Sequence, residues 1–216
     1  MKKIFLFIKK YEFPIHILIL WSIVIRKFSE GFNTTFTKTK LKLLGCSVGN
    51  GFKIDGKLWI WVQKKKCIHI GDYVTINSRF GSNLVGLTNP TIFQCLKNGT
   101  ITIGNKSGLS SAVLSTMSSI TIGENVKIGG NVRIFDHNYH SLNFEKRRGK
   151  EDSKDVKTAP VIIGDDVFIG TNAIILKGTT IGDRSIIGAG SIVSGKIPPD
   201  EIWAGNPAKC VSKKKP

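Results

Sequence analysis

From residue 67 onward the apolar positions recur every six residues. Ile163, Ile169, Ile175, Ile181, Ile187 and Val193 follow one another at that step, with glycine directly after four of them at Gly164, Gly170, Gly182 and Gly188. The same phrase stands earlier as Ile122-Gly123, Ile128-Gly129 and Ile134, with weaker copies at Ile70-Gly71 with Ile76 and at Ile103-Gly104 with Leu109. A β-branched or aliphatic residue lies two positions before many anchors: Ile68, Ile101, Ile120, Val161 and Thr179. Six is not a multiple of the helical turn, so a helix would scatter these side chains around its circumference. A coil of three flat faces, six residues to a face, returns every anchor to the same inward corner. Glycine beside the anchor then meets a sharp turn that needs positive φ or close backbone approach. Stacked coils bury a continuous column of Ile and Val, which predicts an all-β solenoid. An ordinary β-rich domain with Gly-Asp and Gly-Asn turns would not keep six anchors in unbroken register.

The amino-terminal part follows another pattern. Residues 1–26 are mostly apolar, and their longest uncharged run, 13–25, has thirteen residues with Pro14 near its start. A bilayer-spanning helix needs about 20. No Ala-x-Ala-like cleavage site follows, which speaks against a signal peptide. A hydrophobic helix flanked by Lys9, Lys10, Arg26 and Lys27 then either lies in a membrane interface or packs on the body as a cap. Residues 33–66 alternate in stretches such as Lys57-Leu58-Trp59-Ile60-Trp61 and are broken by glycines. They read as short strands and turns rather than helix, with 64–66 a solvated turn. The expected organisation is an amino-terminal basic, hydrophobic segment over 1–40 and a β-helical domain over 41–212.

The register fails badly once. Ile134 and Ile163 are 29 residues apart, and the charged stretch between them cannot continue the coil. Residues 136–160 must project as a loop, and long loops in compact repeats usually carry function. At its root stand His137 and His140, two of the four histidines in the chain. They are either incidental members of a polar loop or a proton acceptor, since imidazole titrates near neutrality. As metal ligands they fail, being two groups three apart with no Cys or carboxylate partner at a known spacing. Cys46, Cys67, Cys95 and Cys210 form no CxxC pair, which argues against a disulfide scaffold or structural zinc and for reduced thiols. The net charge of +17 is uneven, because residues 1–66 hold fourteen basic and three acidic side chains. That surplus points to a polyanionic neighbour such as a membrane surface or an anionic sugar. No helix-turn-helix, zinc finger or RNP-type motif accompanies it, which excludes the usual nucleic-acid readers.

The repeat over 67–212, Asp136-His137 at the loop root, the unbroken register over 164–194 and Gly205-Asn206-Pro207-Ala208-Lys209 together resemble one family. It is the hexapeptide-repeat acyltransferases with a left-handed parallel β-helix. Within it the chain is most similar to O-acetyltransferases of capsule and O-antigen synthesis and to galactoside and maltose acetyltransferases. The resemblance implies direct transfer of acetyl from acetyl-CoA to a sugar hydroxyl of a bacterial surface polysaccharide or its precursor, with no metal and no covalent intermediate. It gives His137 the role of general base, with Asp136 holding its tautomer and His140 contacting the acceptor or orienting the loop. Relatives polarise the acetyl group with a side-chain amide one coil earlier; here Ser110 and Ser111 stand in that stretch. Phe168, Gly170, Thr171, Ala189 and Ser194 match positions along the pantetheine arm, and Lys209 faces the phosphates, with 213–215 behind it read as a frayed soluble tail. Pro198 and Pro199 are expected to end the strand ladder.

The resemblance further implies a homotrimer with coenzyme between subunits, and an acceptor side lined by 136–160 and 77–99. Residence is expected in the cytoplasm, at the inner face of the plasma membrane if residues 1–30 attach there. In that attachment Phe5, Leu6, Phe7, Ile17, Leu18, Leu20 and Trp21 enter the interface, while Lys2, Lys3, Lys9, Lys10, Arg26 and Lys27 stay among the head groups. Two alternatives stay open: N-acetylation of a nucleotide-linked amino sugar, and a non-catalytic β-helix scaffold. The particular sugar and hydroxyl, and whether the acyl group is always acetyl, are not fixed by these residues.

Overall fold

The computed structural model describes residues 13–213, so Lys2, Lys3, Phe5, Leu6, Phe7, Lys9, Lys10, Lys214 and Lys215 lie outside the described residues. The six-residue period closes into a parallel β-helix. Among the described residues its strands form three sheets, each collecting every third strand in chain order. The first face runs from β1 (Ser47–Val48) to β19 (Lys196–Ile197) and includes β13 (Val161–Ile163). The second includes β5 (Thr75–Ser78), β8 (Gly108–Ser110), β14 (Phe168–Ile169), β17 (Ile186–Ile187) and β20 (Glu201–Gly205). The third includes β3 (Leu58–Val62), β6 (Thr91–Cys95), β9 (Val113–Thr116) and β12 (Arg133–Phe135).

The anchors build three columns rather than one, because consecutive anchors fall on consecutive faces. Ile122, Ile163, Ile181 and Ile197 align on the first face. Ile128, Ile169 and Ile187 align on the second, and Leu114, Ile134, Ile175 and Val193 on the third. All are buried and meet in one core. The glycine after each first-face anchor serves close approach, not positive φ. A Cβ on Gly104 would stand 2.5 Å from the carbonyl of Gly123 in the next coil. Positive φ falls two residues later, on Lys106, Asn125, Asp166 and Arg184.

Three expectations are corrected. The stretch 33–43 is not strand and turn: α1 (Phe13–Leu43) runs through it for a total length of 31 residues. Its threonines tolerate the helix because Thr35 and Thr39 donate to carbonyls four residues back, at 3.0 Å each. Burial of Thr37 and Leu41 against the first coil then overrides β-propensity. Pro198 and Pro199 do not end the ladder, since β20 still pairs in parallel with β17. The end is made by the antiparallel strand β21 (Ala208–Lys213) folding back on β20. Lys213 is not part of a frayed tail, because it pairs with Glu201 at 3.3 Å.

Helix α1 answers the question of cap or interface differently in its two halves. Thr34 Oγ1 accepts from the amide of Ile54 at 3.0 Å, and Arg26 donates to Asp55 at 2.9 Å and to the Ser82 carbonyl at 3.1 Å. From residue 26 onward α1 therefore caps the first coil, as a solenoid end requires. Arg26 is tied to the body by these bonds while its side chain stays half-exposed. Among the described residues no helix is long and apolar enough to cross a membrane.

Candidate active site

The third face turns into the first directly after β12, and the inserted loop leaves at that corner. Asp136 is fully buried there. Its carboxylate accepts from Thr116 Oγ1 at 2.6 Å and from the amides of Met117 and Ser118 at 2.8 Å each, all on the preceding coil. A fourth bond joins it to His137 Nδ1 at 3.0 Å. Burial alone would raise the Asp136 pKa, but the bonds from His137, Thr116 and the two amides outweigh it and hold the carboxyl below its ordinary value. An ionised carboxylate only accepts, so Nδ1 carries a proton, and in the neutral imidazole Nε2 holds the lone pair. Nε2 is buried without a hydrogen-bond partner among the described residues. Such an atom is costly to leave unsatisfied, and a hydroxyl proton is what it lacks. The ring of Tyr139, at a positive φ of 64°, lies 4.4 Å from the imidazole centroid and forms the near wall.

The loop is ordered around its own polar groups. Its root closes through Thr158 Oγ1 and the amide of Ala159, both donating to the Asp136 carbonyl at 2.8 and 2.9 Å. His140 Nδ1 lies 2.6 Å from Asp152 Oδ2, and the Ser141 amide donates to the same carboxylate at 2.7 Å. The His140 bond is the main cause holding Asp152 below the ordinary carboxylate value. Ser141 and Lys146 act likewise on Asp155. His140 is thus bonded through Nδ1 to the loop's own Asp152. Among the described residues no group of three His, Cys, Asp or Glu is placed to hold a metal.

The remaining candidates lie elsewhere on the prism. Gly170, Thr171 and Ala189 follow β14 and β17, on the edge between the second and third faces. Ser110 and Ser111 follow β8 on that same edge. Ser194 follows the third face and shares the edge of His137, while exposed Lys209 is on β21. Ser110 and Thr116, the latter bonded to Asp136, are six residues apart across the third face, about 20 Å at strand rise. One chain therefore does not bring His137 together with Ser110, Gly170, Thr171 or Ala189. Phe168 and Ser110 do share a groove on the second face, with Asn77, Asn83 and Lys127. Gly170 is small for a packing reason, since a Cβ there would stand 2.5 Å from the amide nitrogen of Ala189.

A second insert, residues 79–90 between β5 and β6, lies along this edge. Asn83 Nδ2 donates to Ser110 Oγ at 3.1 Å, as does Asn77 Nδ2 at 3.3 Å. Asn89 Nδ2 donates to the Ser111 carbonyl at 3.0 Å, and Leu87 is buried. Ser111 is fully buried at a φ of 47° and stands at a corner of the coil. The amides of Asn77 and Asn83 are the polar groups that reading Ser110 and Ser111 in isolation missed. The signal was the interval of 33 residues between Ile70 and Ile103, longer than one coil.

Residues 160–194 match the family described as the hexapeptide repeat of succinyl-transferase. The galactoside O-acetyltransferase of Escherichia coli K12 is 41% identical over 93 residues, covering 43% of this chain and 43% of that protein. A protein of the same organism, provisionally named a lipopolysaccharide-biosynthesis O-acetyltransferase, is 36% identical over 104 residues, 46% of this chain and 53% of that one. The chain spans about half the length of these curated relatives. A solved hexapeptide-repeat acetyltransferase of Vibrio cholerae O1 biovar eltor, complexed with acetyl coenzyme A, is 27% identical with a TM-score of 0.50, over 77% of this chain and 73% of that one. The chain carries a six-residue repeat that matches this family over 160–194 and is similar in sequence and fold to acetyltransferases.

Proposed function

We propose that the protein is an acetyl-CoA-dependent O-acetyltransferase that acylates a sugar hydroxyl of a bacterial surface polysaccharide or its precursor. The observation that carries this reading is the imidazole of His137, its tautomer fixed by Asp136 and its Nε2 without a partner, at the root of the inserted loop. Similarity to sugar O-acetyltransferases supports the acceptor class. In the reaction Nε2 takes the proton of the acceptor hydroxyl as its oxygen bonds to the thioester carbon. The C–S bond then breaks, and the proton passes to the departing thiolate. Backbone amides and the Asn77–Ser110–Asn83 cluster are the donors available to the tetrahedral oxyanion.

The site in this reading spans two chains. The edge bearing His137 on one copy meets the edge bearing Phe168, Gly170, Thr171 and Ala189 on the next, with Ser194 and Lys209 completing the coenzyme's path. Such a contact is heterologous and closes as a ring, here a homotrimer of left-handed prisms. The outer row of the third face, Trp59, Ile92, Val113, Arg133, Ile174 and Ile192, supports this arrangement. The corresponding row of the first face reads His69, Thr102, Thr121, Ile162, Thr180 and Lys196 and is far more polar. We place the trimer in the cytoplasm at a membrane surface, attached through residues 1–30.

Release of free thiol from acetyl-CoA in the presence of glycan precursors tests the activity. The expected product is an ester, labile to mild base. A base-stable amide would assign the enzyme to amino sugars, and no thiol release above the rate without protein would leave a scaffold.

A further inference from the structure

Helix α1 changes character at Arg26. Beyond it the helix packs on the first coil, whereas residues 15–25 touch little of the protein: Leu18 is 66%, Trp21 67% and Val24 63% exposed. At 3.6 residues per turn, Ile15, Ile17, Leu18, Leu20, Trp21, Ile23, Val24 and Ile25 fall on every side of the helix, and the two polar residues of the run, His16 and Ser22, stand six positions apart and share no stripe. A helix lying half-immersed in an interface needs a polar face, and this segment has none. A second copy of the helix would cover one stripe and leave the opposite sides in water. Acyl chains cover all sides at once.

We infer that residues 15–25 are embedded in the hydrocarbon of a single lipid leaflet, rather than resting at its surface. Lys9, Lys10 and Glu12 before the segment and Arg26 and Lys27 after it keep both of its ends near the head groups, so the segment, about 16 Å long at helical rise, lies within one leaflet and does not point to the midplane. The charge at the other end suits anionic head groups. Arg26 and Lys27 directly follow the segment. The buried carboxylate of Asp55, held by Arg26 at 2.9 Å and by Arg79 at 3.1 Å, clamps the helix to the first coil just where the apolar segment leaves it. The inference rests on this helix and not on the acyl-transfer reading.

The test uses the full chain and vesicles of phosphatidylcholine with phosphatidylglycerol, floated and then washed at high salt. Embedding predicts co-flotation that survives the wash and fluorescence quenching by lipids brominated on the acyl chain, a quenching reduced by Trp21→Phe. The double variant Leu18→Glu with Val24→Glu is expected to stay with the lipid-free fraction while its β-rich circular dichroism is unchanged. Release of the wild-type chain by salt, or flotation without acyl-chain quenching, would return the segment to the interface and overturn the inference. A wild-type chain that ignores vesicles, and whose assembly size collapses in the double variant, would assign residues 15–25 to contacts between copies and overturn it as well.

Discussion

His137 and Asp136 work as a unit, and their substitutions separate chemistry from scaffold. His137→Ala is expected to lower kcat by on the order of 10²–10⁴ with the fold and the affinity for CoA nearly unchanged, measured by thiol release and by calorimetric titration with CoA. Full turnover in that variant, with loss in His140→Ala, would move the base to His140. Asp136→Asn places an amide where Thr116, Met117, Ser118 and His137 all donate, so it disturbs both tautomer and coil. A loss of about 1–3 kcal/mol in unfolding free energy near neutral pH is expected, from leaving donors unpaired. The folded-state pKa of Asp136 is depressed below 3.8, so its stabilisation is complete above that value and is lost as pH falls through the folded pKa. Denaturant midpoints of wild type and Asp136→Asn should therefore converge in acid below about pH 3.8 and stay apart at pH 6. At this scale the sequence exposed the histidine, because the register breaks beside it. It did not expose the three donors on the preceding coil, which come from a turn twenty residues earlier.

At the scale of elements, coil stacking sets what each position tolerates. Gly104→Ala forces a methyl group against the backbone of Gly123, which cannot yield as a flexible side chain would. Its melting temperature should fall clearly, whereas Gly190→Ala, with open space around it, should be limited by its φ of 69° alone. Ile122→Ala removes one member of a buried column and is expected to cost about 2–5 kcal/mol in chemical denaturation. The period of six made the β-helix legible because each face repeats the same inward position, as the register of Ile122 with Ile103 and Ile163 bears out. Two elements were less legible. The carboxyl half of α1 is rich in threonine and carries only a local preference, so its helix is decided by packing of Thr37 and Leu41 on the first coil. Pro198 and Pro199 occupy a corner between faces, where a missing amide donor costs little.

For the whole molecule, the central feature is the distance between two edges of one prism. His137 stands on one, and Phe168, Gly170, Thr171 and Ala189 stand on or beside the other; in the proposed assembly a single chain would therefore carry two halves of two different sites. Sequence similarity pointed to the residues of both halves, but only the assignment of strands to faces separates them in space. The most direct measurement mixes two variants, His137→Ala and Thr171→Trp, each defective in one half. The chains are dissociated together, reassembled, and followed by thiol release from acetyl-CoA with acceptor. The account predicts activity in the mixture, near a quarter of wild type if chains assort at random around a cyclic ring, while each variant alone is inactive. An inactive mixture of properly reassembled oligomers, or a wild-type monomer with full turnover, would contradict it.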